Sequence, residues 1–235
     1  MAEIVSVFLN RFLVYNLKMK CFDIITIFPS ILDSYFKESL FGKAQEKGLF
    51  KIQAHNLRDF TNDKHRKVDD SPYGGGPGMV LKAEPIAKAV EEIKRKNGKT
   101  DKQKNKKTRV ILFSLRGKKF DQKEAHRLSK YDQLIFICGR YEGVDERVAK
   151  FVADEELSVG DYILSGGELP AAIVIEAVSR LMPGFLGKTE SLEELKGSYP
   201  VYTKPETARI GSRNRRVPKV LLSGNHKKIE EWRNK

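Results

Sequence analysis

Three glycine-punctuated turns carry the residues of this chain best placed to do chemistry: Gly139 to Gly143, Val159-Gly160-Asp161, and Ser165-Gly166-Gly167 leading into Pro170. Leu134 to Cys138 is a short apolar run suited to a strand buried on both faces, and it opens directly into the first turn. Tyr162 to Leu164 repeats that pattern and predicts a second strand end, closed by Ser165-Gly166-Gly167. Glycine at a strand end lets the backbone take positive φ and lets a ligand press against the main chain. Chain reversal alone explains one such turn. Three within residues 133 to 181 predict a ligand site. Pro170 suits the first turn of a helix, and the apolar run to Leu181 reads as a mostly buried one.

Other nucleotide and metal chemistries find less support. There is no GxxxxGK[ST] loop, and no GxGxxG opening a helix after the first strand. The run Tyr73-Gly74-Gly75-Gly76-Pro77-Gly78-Met79 follows a polar stretch rather than a strand, so a hinge or lid explains it as well as a phosphate cradle. Asp63, His65, Asp69 and Asp70 have the composition of metal ligands without a specific spacing. The interleaved Lys64, Arg66 and Lys67 argue for an RNA-facing loop instead, and no metal site is predicted. Cys21 and Cys138 each lie in an apolar run far from the other, which predicts core thiols in a reducing cytoplasm.

The elements that must position these turns alternate. Strands are expected at Phe22 to Phe28, Phe50 to Asn56 and Arg109 to Ser114, the last ending in Leu115-Arg116-Gly117. Helices are expected at Ile31 to Lys47, Ile86 to Lys96 and Gln122 to Lys130. Strands alternating with helices predict an α/β fold with a largely parallel sheet. Beyond Gly184 the texture turns polar and basic, as a linker and a small helix-containing module would, with a helix start at Ser223 to Asn225. Lys99 to Lys107 reads as a solvated loop. Met1 to Lys18 is too broken to span a bilayer and reads as an extension or a misplaced start without function.

In 235 residues, 40% hydrophobic content is enough for one large domain with a small appendage. Lys and Arg number 44 against 31 Asp and Glu, a formal charge of +13. That excess favours a polyanionic partner such as nucleic acid.

Several motifs in series make the chain resemble a known family: FDIITIFPS at 22 to 30, HNLRDF at 55 to 60, DKHRKVDDSPYGGGPGM at 63 to 79, GRYEGVDERV at 139 to 148, VGDYILSGGELPA at 159 to 171 and VPKVLLSGNHKKIEEWR at 217 to 233. They are similar to the bacterial TrmD family, the tRNA (guanine-N1)-methyltransferases, from Met19 to the end. The resemblance implies a SPOUT-type α/β fold: a largely parallel sheet whose C-terminal part is threaded into a trefoil knot, plus a small, mostly helical C-terminal domain. Threaded chains are rare exceptions to the rule against knots, so patterning alone would not propose one. The implied organisation is an extension at 1–18, a knotted S-adenosylmethionine-binding domain at 19–186, a linker at 187–199 and a tRNA-binding domain at 200–235. The implied assembly is a cytoplasmic homodimer with each active site at the subunit interface. The implied acceptor is N1 of the guanine immediately 3′ of the anticodon, when another guanine precedes it.

Carried over position by position, the resemblance places the S-adenosylmethionine contacts on Phe113, Ser114 and Leu115, on Gly139, Tyr141, Glu142 and Gly143, and on Val159, Gly160, Asp161, Tyr162, Ile163, Leu164, Gly166, Gly167 and Pro170. Leu115-Arg116 departs from the family, which has a proline after the serine. The family's catalytic arginine matches Arg180, where charge on a helix end complementing the dipole is the rival reading. The family's general base is an aspartate in the linker. This chain has no aspartate there, and the base falls on Glu190, with Glu193 and Glu194 as alternatives. RNA contacts fall on Asp63, His65, Arg66, Arg140, Arg213 and Arg215, with Lys67, Arg209, Arg216 and the lysine run as further phosphate contacts. Magnesium assistance is not readable from the residues. Two other readings fit the same motifs: an RNA-binding protein of this fold with impaired catalysis, and a knotted methyltransferase acting at another RNA position.

Overall fold

The structure is a computed structural model that describes residues 19–97, 107–187 and 197–234. Met1 to Lys18 and most of the lysine run lie outside these residues. The chain divides into two compact units, Met1–Leu186 and Gly187–Lys235.

The first unit is built on five parallel strands in the order β2-β1-β6-β5-β7. They are β1 (Lys20–Thr26), β2 (Phe50–Asn56), β5 (Thr108–Lys119), β6 (Gln133–Ile137) and β7 (Glu155–Ser158). β1 and β6 lie inside the sheet and are buried along their whole length, because helices cover both faces. Alternation along β1 then divides the core in two. Phe22 and Ile24 join one cluster, while Ile25 and the following Ile27 join the other.

Each face takes its own helices. The first carries α1 (Asp33–Lys37), α2 (Ser39–Glu46), α4 (Gln122–Ser129) and α6 (Glu168–Arg180); the second carries α3 (Ala83–Asn97) and α5 (Glu146–Phe151). Helix α6 buries Ala171, Val174, Ile175 and Val178, and α3 buries Ile86, Ala89, Val90 and Ile93. Both sets recur at three- and four-residue spacing, the stripe of a helix lying on a sheet. Two small strands, β3 (Asp69–Asp70) and β4 (Val80–Leu81), pair antiparallel around the glycine-rich loop.

Three expectations change. Ile31 to Lys47 is not one helix: Glu38 is extended and Ser39 takes φ +53°, so the backbone breaks between α1 and α2. The third strand does not end at Leu115-Arg116-Gly117 but runs to Lys119. It bulges between Phe113 and Lys118, both of which pair with Leu157 of β7. A Cβ on Gly117 would lie 2.6 Å from the backbone of Glu156 and Leu157, so only glycine lets the two chains pass so closely. Tyr162 to Leu164 is not a strand. The strand there is β7, and Ile163 in the following loop is 84% exposed.

The second unit contains an antiparallel hairpin, β8 (Thr207–Ile210) with β9 (Arg213–Arg216), and two short helices, α7 (Lys219–Leu222) and α8 (His226–Arg233). Gly211 at φ +61° turns the hairpin, and the Asn225 side chain caps α8 by accepting from the Lys228 amide. Arginine-rich strands with no buried face are hard to tell from loop. Among the described residues no helix is long and apolar enough to cross a membrane.

Candidate functional site

Leu112 pairs with Ile137 and with Glu156, so β6 ends and the β5 bulge begins at one level of the sheet, beside the last residues of β7. A cavity of about 540 Å³ opens beyond their carboxyl ends, where parallel sheets bind ligands. The β5 bulge forms one wall and the turn after β6 a second. The loop from Val159 to Gly167 forms the third.

Glycine is required where these walls meet. A Cβ on Gly167 would lie 2.6 Å from Cys138 Cα, and one on Gly160 would lie 2.2 Å from the Tyr162 ring. A Cβ on Gly166 would lie 2.3 Å from Arg140 Nε. The Gly167 amide donates to the Gly139 carbonyl at 3.0 Å and joins the first turn to the third. Tyr141 and Gly143 take positive φ, at +59° and +121°. The glycine-rich loop is held against the first turn by the Glu142 amide, which donates to Met79 O at 3.0 Å, and by the Glu142 side chain seated on Gly78.

Of the residues expected to contact a cofactor, all line this cavity except Asp161 and Ile163. Asp161 pairs with Lys119, and Ile163 points to solvent. Arg116, Glu146 and Glu156 line it as well, and sequence reasoning missed them. Arg116 Nη2 donates to Glu146 Oε2 at 2.7 Å and lies 3.8 Å from Glu156 Oε2, which has no hydrogen-bond partner. That hydrogen bond from Arg116 holds the Glu146 carboxyl below its ordinary range. Nothing in the spacing of Glu146 and Glu156 separates them from solvated surface acids.

Of the remaining candidates, Arg140 also lines the cavity, and the others are scattered. Asp63 accepts from the amides of Lys67 and His65, which lower its pKa, and Arg66 at φ +56° pairs with Asp59. These two hold the shape of their own loop, while His65 is exposed. Arg140 is engaged with Glu168 of α6. Arg213 and Arg215 are exposed on β9 in the second unit. Arg180 ends α6 and does not line the cavity, which that helix edges at Pro170, about 15 Å away at the usual rise per residue. Glu190, Glu193 and Glu194 lie outside the described residues. Among the described residues no group of three His, Cys, Asp or Glu is gathered to hold a metal ion.

Comparison with known proteins adds a family. Residues 19–235 match the family described as tRNA (Guanine-1)-methyltransferase TrmD. The chain is 50% identical over 218 residues to the tRNA (guanine-N(1)-)-methyltransferase of Carboxydothermus hydrogenoformans, covering 91% of this chain and 81% of that protein. It is 50% identical to the protein of the same name from Dictyoglomus turgidum, over 91% of this chain and 83% of that one. The fold is similar to the crystal structure of tRNA (m1G37) methyltransferase from Aquifex aeolicus, with TM-score 0.74 and 43% identity over 91% of this chain and 87% of that one.

Proposed function

Since this chain belongs to the tRNA (guanine-1)-methyltransferase TrmD family, we propose that its glycine-edged cavity holds S-adenosylmethionine and that the acceptor is the guanine immediately 3′ of the anticodon, preceded by a second guanine. The protein is an enzyme of tRNA modification that methylates N1 of guanine. The observation that carries the assignment of the pocket is the cavity at the carboxyl ends of β5, β6 and β7, walled by the glycine turns of the family's motifs.

The residues present fit such a donor. A volume of about 540 Å³ is in the range of small-molecule sites, and the glycine edges expose backbone donors and acceptors to a ring. Leu115, Tyr162 and Leu164 add apolar surface. The Glu142 carboxylate, with no ion-pair partner among the described residues, suits a positively charged sulfur. When bound, S-adenosylmethionine supplies an electrophilic methyl group on a sulfonium.

Guanine N1 carries a proton at neutral pH and is a weak nucleophile until that proton leaves. Glu190 accepts it, leaving the electron pair on N1 and shifting negative charge toward O6. Arg180 steadies that charge through its guanidinium. Placed a helix length from the pocket in its own subunit, Arg180 serves the site of a second copy in a homodimer. The exposed Leu169 and Ile173 on α6 support such an apolar contact. Threading of the chain through a trefoil knot and a cytoplasmic location, where the tRNA substrate resides, belong to the same reading. The basic hairpin carries RNA phosphates through Arg213 and Arg215.

The test is methyl transfer to tRNA transcripts that differ only beside the anticodon. Replacing the acceptor guanine by adenine is expected to abolish incorporation, and replacing the preceding guanine to reduce it strongly. Equal labelling of all three transcripts would overturn the assignment.

A further inference from the structure

Arg140 is the one basic residue of the first glycine turn, and its side chain faces inward. Its Nε donates to Glu168 Oε2 at 2.9 Å and its Nη1 to the Ser165 carbonyl at 3.3 Å, while its guanidinium stacks 4.9 Å from the Phe28 ring centre. Glu168 is 1% exposed and accepts a second hydrogen bond from Thr26 Oγ1 at 2.5 Å. Thr26 Oγ1 in turn accepts from the Phe28 amide at 2.9 Å. Glu168 is also the first residue of α6, where the helix dipole favours negative charge. The end of β1, the turn after β6, the Ser165–Gly167 turn and the start of α6 therefore meet on one buried carboxylate.

We infer that Glu168 and Arg140 are positioning residues for the methyl-donor pocket, setting the separation of its two glycine walls, and that Arg140 is not an RNA contact. This rests on the reading of the cavity as the S-adenosylmethionine site. A buried ion pair is costly to assemble, and removing one partner strands the other. With Arg140 changed, the stranded group is Glu168, buried where the walls meet. Gly166 corroborates the arrangement, since any side chain there would collide with both Arg140 Nε and Glu168 Oε2. The pocket cannot close over the pair unless that position is bare.

Cys138 gives a readout independent of activity. It is fully buried directly under Gly167, while Cys21 is buried on β1 at the opposite end of the sheet from the turns. Burial, then the Glu168 carboxylate, pushes the Cys138 thiol well above its ordinary pKa. Opening the walls exposes Cys138 alone, whereas global unfolding exposes both.

The experiment uses the full chain with Glu168→Gln, Arg140→Lys and, as the milder variant, Thr26→Val. Dissociation constants for S-adenosylmethionine are measured by calorimetry, KM for tRNA by steady-state kinetics, and iodoacetamide labelling at each cysteine by mass spectrometry. In the two charge-pair variants the donor constant is expected to rise about tenfold or more, as for other misplaced binding groups. KM for tRNA should stay unchanged, and Cys138 should label faster while Cys21 does not. Thr26→Val should move the same readouts in the same direction by less. A donor constant unchanged in Arg140→Lys with a raised KM for tRNA would overturn the inference, and so would parallel acceleration at both cysteines. Failure of the unmodified protein to bind the donor would instead count against the pocket's assignment.

Discussion

At the scale of single residues, the base proposed to work on the acceptor is distinct from the glycines proposed to admit the donor. Replacing Glu190 by Gln removes the proposed proton acceptor and should lower kcat on the order of 100-fold or more, without changing the donor dissociation constant. Single-turnover methylation beside calorimetry checks this, and an unchanged rate would return the role to Glu193 or Glu194. Gly167→Ala should have the opposite signature. Its Cβ would meet Cys138 Cα at 2.6 Å, so the third turn must shift and donor binding must weaken before any chemistry is measured. The glycines were legible in the sequence because glycine itself marks the place where a side chain does not fit. The roles of Arg140 and Glu168 were not. An arginine in a turn reads as a phosphate contact, and nothing in the sequence announces its hydrogen bond to a buried carboxylate 28 positions along the chain.

At the scale of elements, two ion pairs at the pocket differ in burial, and that difference decides their weight. Arg116–Glu146 ties the β5 bulge to α5, with both side chains about half exposed or more. An exposed pair is screened by solvent and contributes little, so Arg116→Ala should raise the donor dissociation constant only slightly. Its effect should also shrink at high salt. Because Arg116 holds the Glu146 carboxyl below its usual range, the pair's contribution is present above the ordinary carboxyl pKa and fades as pH falls through the lowered one. The difference between Arg116→Ala and the unmodified protein should therefore disappear in acid and persist at neutral pH. Helix α6 supplies a contrast: Ile175→Ala opens a core cavity and should cost about 2–5 kcal/mol in unfolding free energy, read by denaturant titration, while KM for the donor holds. Helix α6 was readable from Pro170 at its first turn and the apolar run that follows it. The bulge in β5 was not, because it depends on register with β7, which is a tertiary fact. Tyr162 to Leu164 misled for a related reason, since Tyr162 and Leu164, which line a cavity, and the exposed Ile163 look in sequence like residues that fill a core.

At the scale of the whole molecule, the parallel sheet carries the cavity proposed for the donor, and a separate unit carries the basic hairpin proposed for RNA. Between residues 197 and 234, four arginines lie on or beside the hairpin at 209, 213, 215 and 216, all exposed. Reversing two of them, Arg213→Glu with Arg215→Glu, should raise KM for tRNA and flatten its dependence on salt concentration, leaving donor affinity untouched. The α/β architecture could be read from alternating strands and helices. The base was legible only through the resemblance, because the sequence around Glu190 has charge but no apolar pattern and no aspartate, and it lies outside the described residues. What joins the two units is the reaction itself, and its product reports on all parts at once. The direct measurement is mass-spectrometric mapping of the nucleotide modified when the full chain acts on an unmodified GG-containing tRNA with S-adenosylmethionine. The account predicts a single N1-methylguanine immediately 3′ of the anticodon; a methyl group at any other nucleotide or ring atom, or none at all from protein that binds both partners, would contradict it.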